Sequence, residues 1–129
     1  MDALCTYCSK EKRHDPGEMP AILRYKSERI THVHTAALAL RAGFFILSGK
    51  FGLVTATHPI PDYDHLLQDP EVEAHAKKVG EQLAQAQVCR LVYVTEPISE
   101  VPQLGPYLET IRRACSATSV ALFVFPYRP

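Results

Sequence analysis

Cys8-Ser9-Lys10-Glu11-Lys12 sets a thiol four residues before an amine. The thiolate is the reactive form of cysteine and a nearby ammonium favours it, so a loop that curls back would let Lys12 activate Cys8. The blander alternative is a half-buried thiol beside a lysine that faces solvent. A second stretch, Leu47-Ser48-Gly49-Lys50-Phe51-Gly52-Leu53-Val54, combines a hydroxyl, a cation and two glycines. Glycines let a backbone turn tightly and lie close to a ligand, while Ser48 and Lys50 suit a small polar or anionic molecule. The spacing is neither that of a Walker loop nor that of a dinucleotide fingerprint, and the same glycines would serve a plain strand-to-loop turn.

His58, Asp62, Asp64 and His65 form a third cluster on a proline-stiffened loop. Carboxylates beside imidazoles can orient a water or accept from a base edge, although Asp and His are also common turn and surface residues. A metal reading competes in the N-terminal region, where Cys5-Thr6-Tyr7-Cys8 is a C-x-x-C and His14, His32 and His34 are further candidates. Structural zinc uses four ligands, commonly as two pairs, and the second pair is poor here. On a helix His32 and His34 would point about 200° apart. No metal is therefore assigned, and no cofactor.

These residues sit in a chain of 129 residues that is 47% hydrophobic and 22% charged, which fits one α/β domain over residues 1–129 with a single core. Lys plus Arg and Asp plus Glu both number 14, so no global field would hold a polyanion on the surface. Lys10, Lys12, Arg13, Arg24, Lys26 and Arg29 nevertheless crowd the first quarter, as phosphate contacts or as a solvated loop. No apolar run approaches membrane-span length and the N-terminus lacks the order of a signal peptide, which predicts a cytoplasmic protein without a membrane partner. Four unevenly placed cysteines do not read as a disulfide scaffold; Cys89 and Cys115 are expected to be small buried hydrophobes.

The elements that must position the candidate residues follow from periodicity. Residues 3–7 form a first strand delivering Cys8 and Lys12 to its C-terminal end. Ile30, Val33, Ala37 and Leu40 mark one face of a helix over 28–41 that Gly43 stops. An apolar strand over 44–47 delivers Ser48. Asp69-Pro70 starts a helix carrying Val72, Ala76, Val79, Leu83 and Ala86 at a 3.6-residue period. A strand over 90–95, a helix over 106–114 and a strand over 119–125 complete the chain. Alternating strands and helices predict a three-layer α/β domain with a four-stranded, mainly parallel sheet in the order 2-1-3-4. That order would bring the Cys8 and Ser48 loops side by side at the switch point, where open sheets place ligands.

Cys8-x-x-x-Lys12, Tyr25-Lys26-Ser27, Ile46 to Val54 and Ile60-Pro61-Asp62-Tyr63 together resemble the YaaA-type peroxide-stress proteins and their short relatives. In that family the second part reads S-[GA]-x-[YF]-G-L and is followed by a P-x-Y element, matched here by Pro61 and Tyr63. Cys8 and Lys12 with the later Tyr25 and Ser27 also resemble the core motif of archaeosine synthase, which acts on the nitrile of 7-cyano-7-deazaguanine in tRNA. The likeness covers roughly residues 5 to 67. It implies a small domain that binds a purine-like base or modified nucleotide, with Cys8 as nucleophile or covalent anchor, Lys12 as activator and Asp62 accepting from a ring N–H. Ser48, Gly49, Lys50 and Gly52 would then contact the ligand and Tyr63 would stack on its base. The competing expectations are a noncatalytic nucleotide- or DNA-binding module of the oxidative-stress response and a zinc-stabilised interaction domain.

Overall fold

A computed structural model describes residues 1–129. In chain order the elements are β1 (Asp2–Tyr7), β2 (Met19–Pro20), α1 (Ala21–Arg24), α2 (Glu28–Leu40), β3 (Gly43–Ser48), β4 (Gly52–Val54), β5 (Pro59–Ile60), α3 (Val72–Gln85), β6 (Arg90–Thr95), α4 (Gly105–Ala117) and β7 (Ala121–Pro126). The main sheet has the order β4-β3-β1-β6-β7, and β2 and β5 form a separate small ladder. The four long strands run parallel. Their order is the one expected from the right-handed crossover rule. The expected count of four strands is corrected to five, because β4 adds an antiparallel edge to β3 through the pairs Ile46↔Val54, Leu47↔Leu53 and Ser48↔Gly52. Three residues are too few to show the alternation that reveals a strand.

Side chains alternate across the sheet, so β3 and β4 feed two cores. On one face Cys5, Tyr7, Leu47, Leu91 and Tyr93 pack with Val79, Leu83, Ile111 and Ala114 of α3 and α4. On the other, Ile46 and Val54 meet Ile30 of α2 together with Ala21, Tyr25 and Ile60. The second layer is narrow. It covers β1 and β3, whereas Phe123 and Phe125, in register with Val92 and Val94, remain 55% and 62% exposed.

Helix ends differ from expectation for local reasons. The Ser27 hydroxyl accepts from the Ile30 N–H and starts α2, and Arg41 ends it in the left-handed region at φ 55°, before Gly43 opens β3. A 3-10 turn over Asp69–Glu71 precedes α3 and carries Pro70. No helix is long and apolar enough to cross a membrane.

The turn into β4 explains both glycines of the second motif. The Ser48 hydroxyl accepts from the N–H groups of Lys50 and Phe51 at 3.1 and 3.0 Å and closes the turn. Gly52 lies at φ 73°, and a Cβ there would run into Oε1 of Gln82. That Gln82 oxygen accepts from the Leu53 N–H at 2.7 Å, and its amide donates to the carbonyls of Phe51 and Leu53. The free edge of β4 is thus sealed by a side chain of α3, a protection that edge strands need. The fold itself therefore requires a glycine at position 52. Gly52→Val is expected to lower stability by about 1–3 kcal/mol or more in urea unfolding, since strain and collision add. Gly17 supplies the control, because it has φ 79° with nothing near its missing Cβ. Gly17→Ala should cost less than Gly52→Ala, and equal costs would remove Gln82 from the explanation.

Candidate functional site

The chain leaves β1 toward the α2 layer and leaves β6 toward the α4 layer, so the two connections part between adjacent strands. Open α/β sheets hold their ligands at such a point, beyond the C-terminal strand ends. A cavity of about 550 Å³ opens there. Tyr7 and Cys8 at the end of β1 form part of its wall, with Lys12 from the following loop, Arg29 from α2, Glu96 beyond β6 and Tyr107 from α4.

Arg29 organises this end of β1. Its side chain is 8% exposed, and Nη1 donates to the Thr6 hydroxyl at 2.5 Å and to the Tyr7 carbonyl at 2.7 Å. Nη2 donates to the Cys8 carbonyl at 3.3 Å, and the guanidinium carbon stands 3.4 Å from the centre of the Tyr7 ring. Carbonyls that leave the sheet ladder would otherwise be stranded, and a planar fork of N–H groups gathers them. Burial holds the Arg29 guanidinium below its ordinary range, and it pushes the Tyr7 hydroxyl up to about 12. That hydroxyl donates to Glu96 Oε2 at 2.9 Å, which aims one carboxylate oxygen and leaves the other without a side-chain partner.

Cys8 continues the β1–β3 ladder through its N–H, which donates to the Leu47 carbonyl at 2.9 Å. Its half-buried thiol has a single weak partner, the Tyr107 hydroxyl at 4.0 Å. The same hydroxyl accepts from the Leu67 N–H at 3.2 Å. A Cβ on Gly49 would come within 2.8 Å of that oxygen and 3.0 Å of the His65 carbonyl, so Gly49 makes room for Tyr107. Lys12 is 7% exposed and bridges to Tyr25 as an isolated antiparallel pair. Its ammonium reaches the Lys10 carbonyl at 3.4 Å and stands 4.8 Å from the Tyr63 ring centre and 5.9 Å from that of Tyr25. No hydrogen bond joins it to the thiol.

Tyr25, Tyr63 and Ser48 lie behind the Lys12 side of the cavity as one hydroxyl chain. The Tyr63 hydroxyl bonds both to that of Tyr25 and to Ser48 Oγ, the latter at 2.7 Å. Ser48 already accepts two N–H groups, so its proton goes to Tyr63 and the Tyr63 proton goes to Tyr25. Burial raises the pKa of both tyrosines, which keeps the chain neutral. Ser48 is fully buried, and the Tyr63 ring sits edge-on to Phe51 at 5.1 Å. Of the four residues expected to share a pocket, Cys8 and Lys12 do so in the main cavity. Tyr63 instead borders a neighbouring open cleft with Lys12, and Ser48 is sealed.

The remaining candidates scatter. Ser27 caps α2 and reaches the cavity rim. Asp62 borders the open cleft and accepts from His14 Nδ1 at 2.8 Å, an exposed pair that holds the Asp62 carboxyl below its usual range. It is outside the cavity that holds the thiol. Lys50 is exposed on the β3–β4 turn, and Pro61 follows Ile60, whose carbonyl accepts from Arg24 at 3.3 Å. The zinc arrangement is not assembled. Cys5 is buried against α3 and α4, His14 pairs with Asp62 and His32 with the Tyr127 hydroxyl, and no three metal-binding side chains come together. Glu96 and Tyr107 were not singled out from the sequence, and Arg29 was named only as one of six basic residues that could meet phosphates or lie in a solvated loop. The switch-point argument applied to the strand over 90–95 would have reached Glu96; Tyr107 carried only helix periodicity.

Cys89 is also corrected. It is exposed beside the N-terminal ammonium rather than packed away, because β6 begins one residue later at the rim of the sheet. Burial pushes the Cys115 thiol up to about 11 and that of Cys5 higher still. Alkylation at neutral pH with peptide mapping should therefore modify Cys8 and Cys89 well before Cys5 and Cys115, and early labelling of Cys5 would contradict the packing described. His75 gives a pH prediction. Its Nε2–H donates to the Ser48 carbonyl at 2.8 Å, and burial holds its pKa below the ordinary value. The fold favours the neutral ring, so this stability is complete above the unfolded value of about 6.5 and is lost as pH falls through the folded one. His75→Gln should flatten that part of the stability profile, and an unchanged profile would remove His75 as its source.

No protein-family model, curated protein or solved structure matches this chain.

Proposed function

We propose that this chain is a small nucleobase- or nucleotide-binding domain whose ligand occupies the cavity between the ends of β1 and β6. The observation that carries the reading is a half-exposed thiol in the wall of a switch-point cavity that also holds tyrosine rings and an oriented carboxylate. The half-buried Tyr127 ring offers a face to a planar heterocycle and the buried Tyr7 and Tyr107 rings only the edges that reach the cavity, while Glu96 takes the role first given to Asp62, accepting from ring N–H groups. A volume of about 550 Å³ falls in the range of roughly 300–1,000 Å³ for small-molecule sites. The resemblance to YaaA-type proteins and to the archaeosine synthase motif narrows the class to purine-like bases, with 7-deazaguanines as the first to try.

If the domain is an enzyme, Cys8 is its nucleophile. On a nitrile such as that of 7-cyano-7-deazaguanine, the thiolate sulfur forms a bond to the nitrile carbon, one C–N π bond breaks and the nitrogen takes a proton. A second reading, binding without turnover, is favoured by one observation: the thiol meets only the Tyr107 hydroxyl and makes no hydrogen bond to Lys12.

Incubation with 7-cyano-7-deazaguanine, followed by intact-mass and peptide analysis, tests both. The enzyme reading expects an adduct of the whole molecule on Cys8 that is absent from Cys8→Ser. The binding reading expects no adduct and the same affinity in wild type and Cys8→Ser. Failure of guanosine, 7-deazaguanosine and 7-cyano-7-deazaguanine all to bind would overturn the nucleobase assignment.

A further inference from the structure

Four cationic side chains line the cavity, Lys10, Lys12, Lys26 and Arg29, and none of them has a carboxylate oxygen within 4 Å. Two are more than nine-tenths buried: Lys12 is 7% exposed and Arg29 is 8% exposed. Burying a cation without a counter-charge is costly unless its donors are otherwise satisfied. Arg24 shows how nearly such a cation can be satisfied in this molecule, with only its buried Nε–H left unpartnered. It is fully buried, and four carbonyls, those of Arg13, Asp15, Gly17 and Ile60, accept from its terminal nitrogens.

Arg29 and Lys12 are not treated that way. Arg29 spends three N–H groups on Thr6, Tyr7 and Cys8, which leaves its Nε–H and one Nη2–H without a protein acceptor. The Nε atom is not sealed from solvent. The Lys12 ammonium has three N–H groups and one long bond of 3.4 Å. The first turn of α2 adds the N–H groups of Glu28 and Arg29, since the Ser27 cap takes only that of Ile30. Glu11, Asp64 and Glu96 also line the cavity, and Glu96 is engaged by Tyr7.

We infer that the ligand of this cavity is anionic and carries a phosphate group seated between Lys12, Lys26 and Arg29 at the start of α2. This rests on the nucleobase reading only in making the phosphate that of a nucleotide; the charge argument is independent of the base. A tetrahedral oxyanion suits the arrangement because its oxygens diverge toward donors from three segments, the loop after β1, the residue before the Ser27 cap and α2 itself. Charge-assisted bonds of this kind are the strong ones. The base would then lie toward Tyr107 and Glu96.

The test compares guanosine, guanosine 5′-monophosphate and inorganic phosphate on the full chain by calorimetry and by thermal melting. The monophosphate should bind at least about tenfold more tightly than guanosine, a difference of about 1.4 kcal/mol. Phosphate alone should raise the melting temperature and compete with the monophosphate. Lys26 is exposed, so Lys26→Gln leaves the core intact and should weaken the monophosphate several-fold while leaving guanosine unchanged. Lys12→Met should abolish the phosphate shift without lowering the melting temperature of the free protein, because it removes a buried charge that lacks a counter-ion. Equal affinity for guanosine and its monophosphate would overturn the inference and leave the nucleobase reading standing. Phosphate binding as tightly as the monophosphate would do the reverse. A phosphate shift that survives Lys12→Met, with a lower melting temperature in the free variant, would make Lys12 a structural prop and overturn the assignment.

Discussion

The carbonyl groups at the C-terminal end of β1 must be satisfied once the strand leaves the sheet, and a single buried guanidinium does most of it. Arg29 gathers the Tyr7 and Cys8 carbonyls and the Thr6 hydroxyl and lies flat on the Tyr7 ring. The consequences spread from there. Tyr7 is held where its hydroxyl can aim Glu96 from the neighbouring strand end, and Cys8 is held in the cavity wall with its thiol toward Tyr107. A polar network of this kind is rigid because each member loses its partner if another moves. Arg24 performs the parallel task for the 13–17 loop, tying it to Ile60 and so to the β2–β5 ladder. Two buried arginines thus replace regular secondary structure across the segment between β1 and α2.

The second motif belongs to a different task. Ser48, Gly49 and Gly52 build the turn that adds β4 to the sheet, and each is explained by what lies against it. N–H groups and Tyr63 surround the Ser48 hydroxyl, Tyr107 and the 65–67 segment abut Gly49, and Gln82 abuts Gly52. The connection to the cavity is indirect but physical. Gly49 gives Tyr107 its place, and Tyr107 is the partner of the Cys8 thiol. Tyr63 similarly supports Lys12 through its ring while its hydroxyl is tied to Ser48. The glycine motif thus forms part of the wall behind the cavity.

The long strands and helices were legible in the sequence because each carries a clear hydrophobic period, and the parallel order followed from the length and handedness of the connections. β4 was not legible, since three residues cannot show a period and its outer edge is completed by Gln82 from far along the chain. Cys8 and Lys12 were recognised from their types and spacing. Glu96 and Tyr107 were not legible, since what sets them apart is contact with Tyr7, Cys8 and Leu67, all far away along the chain. Arg29 read as one charge among six in a basic stretch, and nothing in one dimension distinguishes a buried clamp from a solvated lysine-like neighbour. Both Arg24 and Arg29 contradict the usual surface expectation for arginine, and each does so where main-chain carbonyls lack strand or helix partners.

The uncovered face of β6 and β7 is the other departure from a closed three-layer design. Parallel sheets are ordinarily buried on both faces. Here α2 shelters β1 and β3 only, so β7 contributes little to either core, and the cavity opens at the end of β1. The central claim is that this cavity, rather than the glycine turn, receives the ligand. Backbone amide shifts in heteronuclear NMR, recorded while guanosine 5′-monophosphate is added, test it most directly. The account predicts the largest changes at Cys8, Lys12, Glu28, Arg29 and Glu96. Changes centred on Gly49, Lys50, Phe51 and Gly52, with the residues around Cys8 unmoved, would contradict it.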